Sequence, residues 1–262
     1  IILRNTNVNN LLFAPNLNEL KIYNSYIDYD NLKINRVNSV YIENCASSKI
    51  ILDKFKKATR IEMLEPLPTS VVKYTNNDIR ELLFRNTQGI TKIEVKSNSL
   101  QLFRLTGKAD HTRRANCTKV VLDCPNIEYI YLWEGSVSEL EVKNVEKLKL
   151  LELTVNNIDV TKLKINWVFK SLIYISFFRN NLDKNALEYI VDRLYENIQY
   201  FSINKPAIYL NENPASLEVA GTRSGGVPTG NGPYQYATYT GGTRSEKLTQ
   251  LSQAGCKINT GT

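Results

Sequence analysis

Apolar residues in this chain return in a repeated triplet: one residue, then a pair placed three and five positions further on. The triplet occurs at Leu17/Leu20/Ile22, Val37/Val40/Ile42, Ala58/Ile61/Met63, Ile79/Leu82/Phe84 and Leu100/Phe103/Leu105. It continues at Ile127/Ile130/Leu132, Leu148/Leu151/Leu153, Leu172/Ile175/Phe177 and Ile198/Phe201/Ile203. The middle members, at 20, 40, 61, 82, 103, 130, 151, 175 and 201, are 20, 21, 21, 21, 27, 21, 24 and 26 residues apart. Such a period marks a solenoid, in which each unit buries its apolar edge only against its neighbours. The last two members of each triplet share one face of a strand, while the residue between them, such as Lys21 or Glu152, points away. Nine stacked rungs of one parallel sheet are therefore predicted.

A second apolar series lies between these strands: Leu11/Phe13, Leu32/Ile34, Ile50/Leu52, Val71/Val72, Ile93/Val95, Val120/Leu122, Leu140/Val142 and Leu163/Ile165. The half-period of about ten residues is too short for a helix and two turns, so extended segments are predicted on the back. The pattern changes after Asp183, an N-capping residue that precedes Leu187, Ile190, Val191 and Leu194 on one helical face. A helix over 183–197 accounts for the long interval before Phe201.

Two copies run on into a fuller pattern, Leu148-x-x-Leu-x-Leu-x-x-Asn156-x-Ile158 and Leu172-x-x-Ile-x-Phe-x-x-Asn180-x-Leu182. At these residues the chain resembles the leucine-rich-repeat family, over roughly residues 8–210. The resemblance implies an α/β solenoid with a parallel front sheet, a mostly extended back, one helix near the C-terminal end and a short capping helix. In both copies the asparagine is expected to satisfy backbone groups where the chain leaves the strand. Earlier copies carry Ser25, Cys45, Pro66, Thr87, Lys108 and Gly135 there, and only Cys45 is a common family substitute. A β-sandwich and a parallel β-helix share parts of the pattern. The constant interval, the asparagine copies and the late helix favour the leucine-rich-repeat form.

Three parts of one elongated domain follow: a solenoid over 1–211, a Gly/Tyr-rich loop over 212–244 and a C-terminal cap over 245–262. The loop lacks apolar periodicity and is expected to be mobile or functional and dispensable for the core. In the cap, Ser245 is expected to open a short helix carrying Leu248 and Leu251, Gly255 to end it, and Cys256–Ile258 to form a last strand. A further interruption, Gly107–Asn116, holds the single histidine, His111, beside Asp110, Arg113 and Arg114.

A chain of 262 residues with 42% hydrophobic content can bury a long, thin core. No apolar run approaches the ~20 residues of a membrane span. The opening at Ile1, without methionine or leader, is expected of a processed product or a part of something larger, and leaves secretion open. The abundance of Asn, Ile, Lys and Tyr is compatible with a low-GC bacterium or its phage. The four cysteines show no metal or redox spacing and read mainly as buried thiols, with one bridge, involving Cys256, as the alternative.

Catalytic signals are weak. Asp110 adjoins His111, but neighbours on a loop do not orient one another as a base and its carboxylate partner must. No nucleophile elbow, phosphate-binding glycine loop or zinc-binding His-Glu-x-x-His is present. The front acids Glu43, Glu62 and Glu152 are scattered among Lys21, Arg85 and Arg104, and read as a solvated charge pattern. The net charge of +7 suits an anionic partner, but interleaved acids and the lack of a basic stripe disfavour nucleic acid. Neither a cofactor nor a metal is implied.

The outward positions of the front strands carry the candidate site. Tyr131 and Trp133 are presented by one strand, with Arg85, Arg104, Tyr41 and Phe178 on neighbouring copies. Exposed aromatics and arginines of this kind serve as interface anchors or sugar-stacking platforms. The expectation is a non-enzymatic recognition or adhesion module, binding protein or glycan on a bacterial surface or phage virion. A structural subunit of a larger assembly and a β-helix-like carbohydrate-active enzyme are the alternatives.

Overall fold

The triplets become strands because each alternation buries two side chains and leaves the third at the surface. The computed structural model describes the chain except residues 48–49, 56, 66–70, 88, 108–114, 225–236 and 262, and except the side chains of 10, 12–16 and 35. His111 and its neighbours thus lie outside the described residues, as do Pro66 and Lys108. Eleven strands form one front sheet: Ile2–Arg4, Asn10–Tyr23, Lys33–Glu43, Arg60–Leu64, Glu81–Arg85, Leu102–Thr106, Tyr129–Trp133, Leu150–Thr154, Tyr174–Ser176, Ala207–Tyr209 and Lys257–Asn259. Every pairing in it is parallel, so the molecule is a parallel β-solenoid. Eight predicted rungs stack in register, from Leu20 and Val40 through Ile61, Leu82, Phe103, Ile130 and Leu151 to Ile175.

The ninth rung is corrected. Ile175 pairs with Ile208, and Phe201 is buried in a helix, α2 (Ile198–Asn204), directly after α1 (Lys184–Tyr195). The spacing of Ile198 and Phe201 fits a helical face, and Ile203, the supposed strand partner, is 77% exposed. Asn197 anchors the junction, accepting from the Phe169 amide at 2.8 Å and donating to the Trp167 carbonyl at 2.7 Å. The predicted cap of α1 is present: the Asp183 carboxylate accepts from the Ala186 amide at 2.8 Å.

A second parallel sheet forms the back over part of the length: Val71–Thr75, Lys92–Lys96, Lys119–Asp123, Glu139–Val142 and Leu163–Ile165. Towards the N-terminus the back differs from expectation. Leu11 and Ile34 pair within the long front strands, and Leu52 starts a 3-10 turn, Leu52–Phe55. In the first back strand Val72 and Tyr74 are buried while Val71 faces outward.

Nine of the eleven front strands end at the same kind of corner. Asn5, Asn24, Asn44, Glu65, Asn86, Glu134, Val155, Arg179 and Glu212 all have φ between 47° and 56°. Asparagine tolerates this left-handed geometry, but a β-branched residue such as Val155 is strained in it. The next residue turns inward. Asn156 donates to the carbonyls of Leu132 (2.8 Å) and Thr154 (3.0 Å), Asn180 to those of Leu153 and Phe178, and Asn213 to those of Phe177 and Leu210. Ser25 and Cys45 donate to backbone carbonyls from the same place. Gly135 is small because a Cβ there would lie 2.6 Å from the Asn156 Oδ1. All four cysteines are buried thiols outside any disulfide.

The described parts of 212–244 depart from the loop expectation. They form α3 (Ser216–Ala220) and an antiparallel hairpin, Gly221–Ser224 with Thr238–Gly241, which bury Val219, Ala220 and Tyr239. The Tyr239 hydroxyl donates to the Ile258 carbonyl at 3.3 Å, and the Ala237 amide donates to Ser252 Oγ at 2.8 Å. The segment is thereby built into the cap with α4 (Ser245–Gln253). Arg244, not Ser245, is the N-cap residue of α4, while Ser245 ties Gly242 to Ala220. Cap and solenoid are joined at Asp192 of α1, which accepts from Arg244 Nε at 2.6 Å and Lys247 Nζ at 2.8 Å. Burial alone would raise the Asp192 carboxyl, but those hydrogen bonds outweigh it and hold the group below its ordinary range.

Candidate functional site

Strand register lays the outward side chains of the front sheet into columns. One column runs Tyr41, Glu62, Leu83, Arg104, Tyr131, Glu152, Ser176 and Tyr209. A second runs Glu43, Leu64, Arg85, Thr106, Trp133 and Thr154. Rungs of a sheet are ~4.8 Å apart, so neighbours within a column touch. Arg85, Arg104, Thr106, Tyr131 and Trp133 line one groove of ≈ 550 Å3. The Arg104 guanidinium lies 4.6 Å over the Tyr131 ring, and Trp133 stays 44% exposed at the rim. A second groove of ≈ 590 Å3, lined by Val155, Arg179 and Glu212, shares Glu134 with the first.

Four of the six candidate residues thus come together, and two do not. Tyr41 stands three rungs before Arg104, against the Tyr23 ring at 5.6 Å, and donates to Glu43 at 2.8 Å. Burial, reinforced by that hydrogen bond, pushes its phenol up to about 12. Phe178 lies past the end of its strand with Arg179 over its ring at 5.3 Å, away from the groove. Ser202 and Asn204, which would face outward if the Ile198/Phe201/Ile203 triplet formed a strand, belong to α2.

Two acids are not the solvated charges expected. Glu62 is 5% exposed and Glu152 9% exposed, both within the outward column. Glu62 is bridged by Arg60 at 2.9 Å and by Arg85. Among the described residues Glu152 meets only hydroxyls, Thr154 Oγ1 and the Tyr174 phenol, each at 3.5 Å. Burial and the adjacent Glu152 charge push the Tyr174 phenol up to about 12. Tyr174 also packs on Tyr209 with ring centroids 5.3 Å apart, extending the aromatic surface beyond Tyr131. The signal for Glu152 was its place in the column next to Tyr131, which requires the register.

Comparison with protein-family models, with curated proteins and with solved structures finds no match in any of the three. What the surface can do must therefore be read from its own chemistry. Among the described residues there is no group of three or more His, Cys, Asp or Glu placed to hold a metal ion. None of the described helices is long and apolar enough to cross a membrane.

Proposed function

We propose that the chain is a non-enzymatic recognition module whose front face, centred on Tyr131 and Trp133, binds a protein or glycan partner. The observation that carries this is the half-exposed Trp133 on a groove that also holds Arg104 stacked on Tyr131. Clustered aromatics left in water are costly unless a partner covers them, and Trp, Tyr and Arg are the usual anchors of such contacts. The inward asparagines at 156 and 180 support a leucine-rich-repeat affinity. An adhesin-like setting on a bacterial surface or phage virion is offered by analogy with fold and composition. The test is a glycan array with a pull-down from host-surface extract, run on wild type and Trp133→Ala. Binding should weaken by about 2 kcal/mol or more with the melting temperature almost unchanged. Undiminished binding, or an unfolded variant, would sink the reading.

A structural subunit is the second reading, favoured by Ile173 at 52%, Ile203 at 77% and Leu217 at 64% exposure. Size-exclusion with light scattering separates the two: a stable closed oligomer supports the subunit, a monomer the recognition module.

A further inference from the structure

The front column holds two carboxylates buried by nine-tenths or more, and among the described residues only one has a counter-charge. Two arginines hold Glu62. Around Glu152 the described contacts are two hydroxyls at the limit of hydrogen bonding. The lysine three residues upstream, Lys149, is engaged by Glu128 at 2.8 Å. Arg104, two rungs away in the same column, is stacked on Tyr131 instead. Removing a carboxylate from water without a cation is expensive, and a cation brought by another molecule would offset that cost.

We infer that Glu152 receives the ammonium group of a single lysine side chain from a partner polypeptide, with the lysine stem lying along Tyr131 beside Trp133. This rests on reading the front face as the binding surface and names what that surface takes. Depth selects the class of cation. Glu152 is 9% exposed beside a rim at which Trp133 is 44% exposed, so the charge must reach below the aromatic surface. A lysine ammonium on its four-carbon stem can do this, and the stem gains apolar contact with the rings. An amine borne directly on a sugar ring is held at the rim. The Tyr174 phenol, kept protonated, donates to the same carboxylate and leaves its remaining acceptor sites for the ammonium. A net charge of +7 repels polybasic segments, which favours one isolated lysine over a basic run.

The experiment follows the indole N–H resonance of Trp133 in the full chain during titration. The probes are N-acetyl-lysine methylamide, its ε-acetylated counterpart and glucosamine. The lysine amide should shift the resonance saturably, the ε-acetylated form should not, and Glu152→Gln should weaken the response by roughly tenfold. Equal shifts from the charged and acetylated probes, a stronger response to glucosamine, or an unaltered response in Glu152→Gln each overturn the assignment. If Glu152→Gln does not fold, the charged-versus-acetylated comparison on wild type decides alone. Silence from the lysine amide, with Trp133→Ala still abolishing capture of a partner, defeats this inference and leaves the recognition reading standing.

Discussion

Glu62 and Glu152 occupy one column of the same sheet, four rungs apart, with Arg104 midway between them. Their surroundings differ in two independent ways. At the first rung the carboxylate is clasped by Arg60 and Arg85, and the left-handed corner that follows is Glu65, which accepts from the Asn86 amide. At the second rung the carboxylate lacks a described cation, and the corner is Val155, a residue ill suited to φ 54°. The same scaffold position is thus completed internally in one place and left with a charge and a strain in the other. Local choices that oppose stability while the frame stays regular are what the proposed recognition surface would require.

The comparison is broken most severely by attacking the frame. Leu151→Asp puts a charge into the core directly beneath the Glu152 strand and should cost about 3 kcal/mol or more in denaturant unfolding. A milder change would show that strand to be peripheral to the fold. The next largest effect comes from making the first rung resemble the second. Removing both clasps with Arg60→Ala and Arg85→Ala should destabilise by about 2 kcal/mol, a figure discounted because both guanidiniums are nearly half exposed. Adding Glu62→Gln should restore most of the loss, whereas Glu152→Gln in the wild type should cost nothing. An equal penalty for Glu62→Gln and Glu152→Gln would erase the distinction.

The corner residue sharpens the comparison from the other side. Val155→Asn relieves a β-branched residue at positive φ and should stabilise by about 1 kcal/mol, read as a raised melting temperature. No gain would mean that surrounding contacts already compensate the strain. The smallest effect is electrostatic and lies in the cap, where Asp192 is partly exposed and well paired. Its folded pKa is lowered, so its contribution is present above its ordinary value of 3.8 and is lost as pH falls through the folded value. Acidification to about pH 3 should lower the melting temperature of wild type more than that of Asp192→Asn. Equal losses would show that the Arg244 and Lys247 contacts contribute nothing.

The rungs were legible because each alternation is local, and burial of Leu20 or Leu151 follows from its own neighbours in sequence. Phe201 misled because Ile198 and Phe201 fit both the strand triplet and a helical spacing, while Ile203 shares a strand face with Phe201 but lies opposite it on a helix, and only the exposure of Ile203 separates the two. The groove was legible in Arg85, Arg104, Tyr131 and Trp133, whose parity along successive strands sets a shared face. The state of the acids was not. Arg85 is 23 residues from Glu62 in the chain, and nothing local at Glu152 shows that hydroxyls, and no described cation, face it. Tyr41 and Phe178 were assigned by face alone, and distance along the column or past the strand end removed them from the groove. The cap segment was opaque because its small residues bury backbone and tyrosine without an apolar period.

The corner after Leu102–Thr106 carries a repeat of 27 residues where its neighbours have 21, yet the strands on either side remain aligned from Leu102 with Tyr129 to Thr106 with Trp133. The back strands around it, Lys92–Lys96 and Lys119–Asp123, hold alignment as well. Extra chain at that point is spliced in without being transmitted to either sheet. This makes the corner a port: a peptide tag, a protease site or a natural length variant can be accommodated there while the neighbouring rungs keep their pitch.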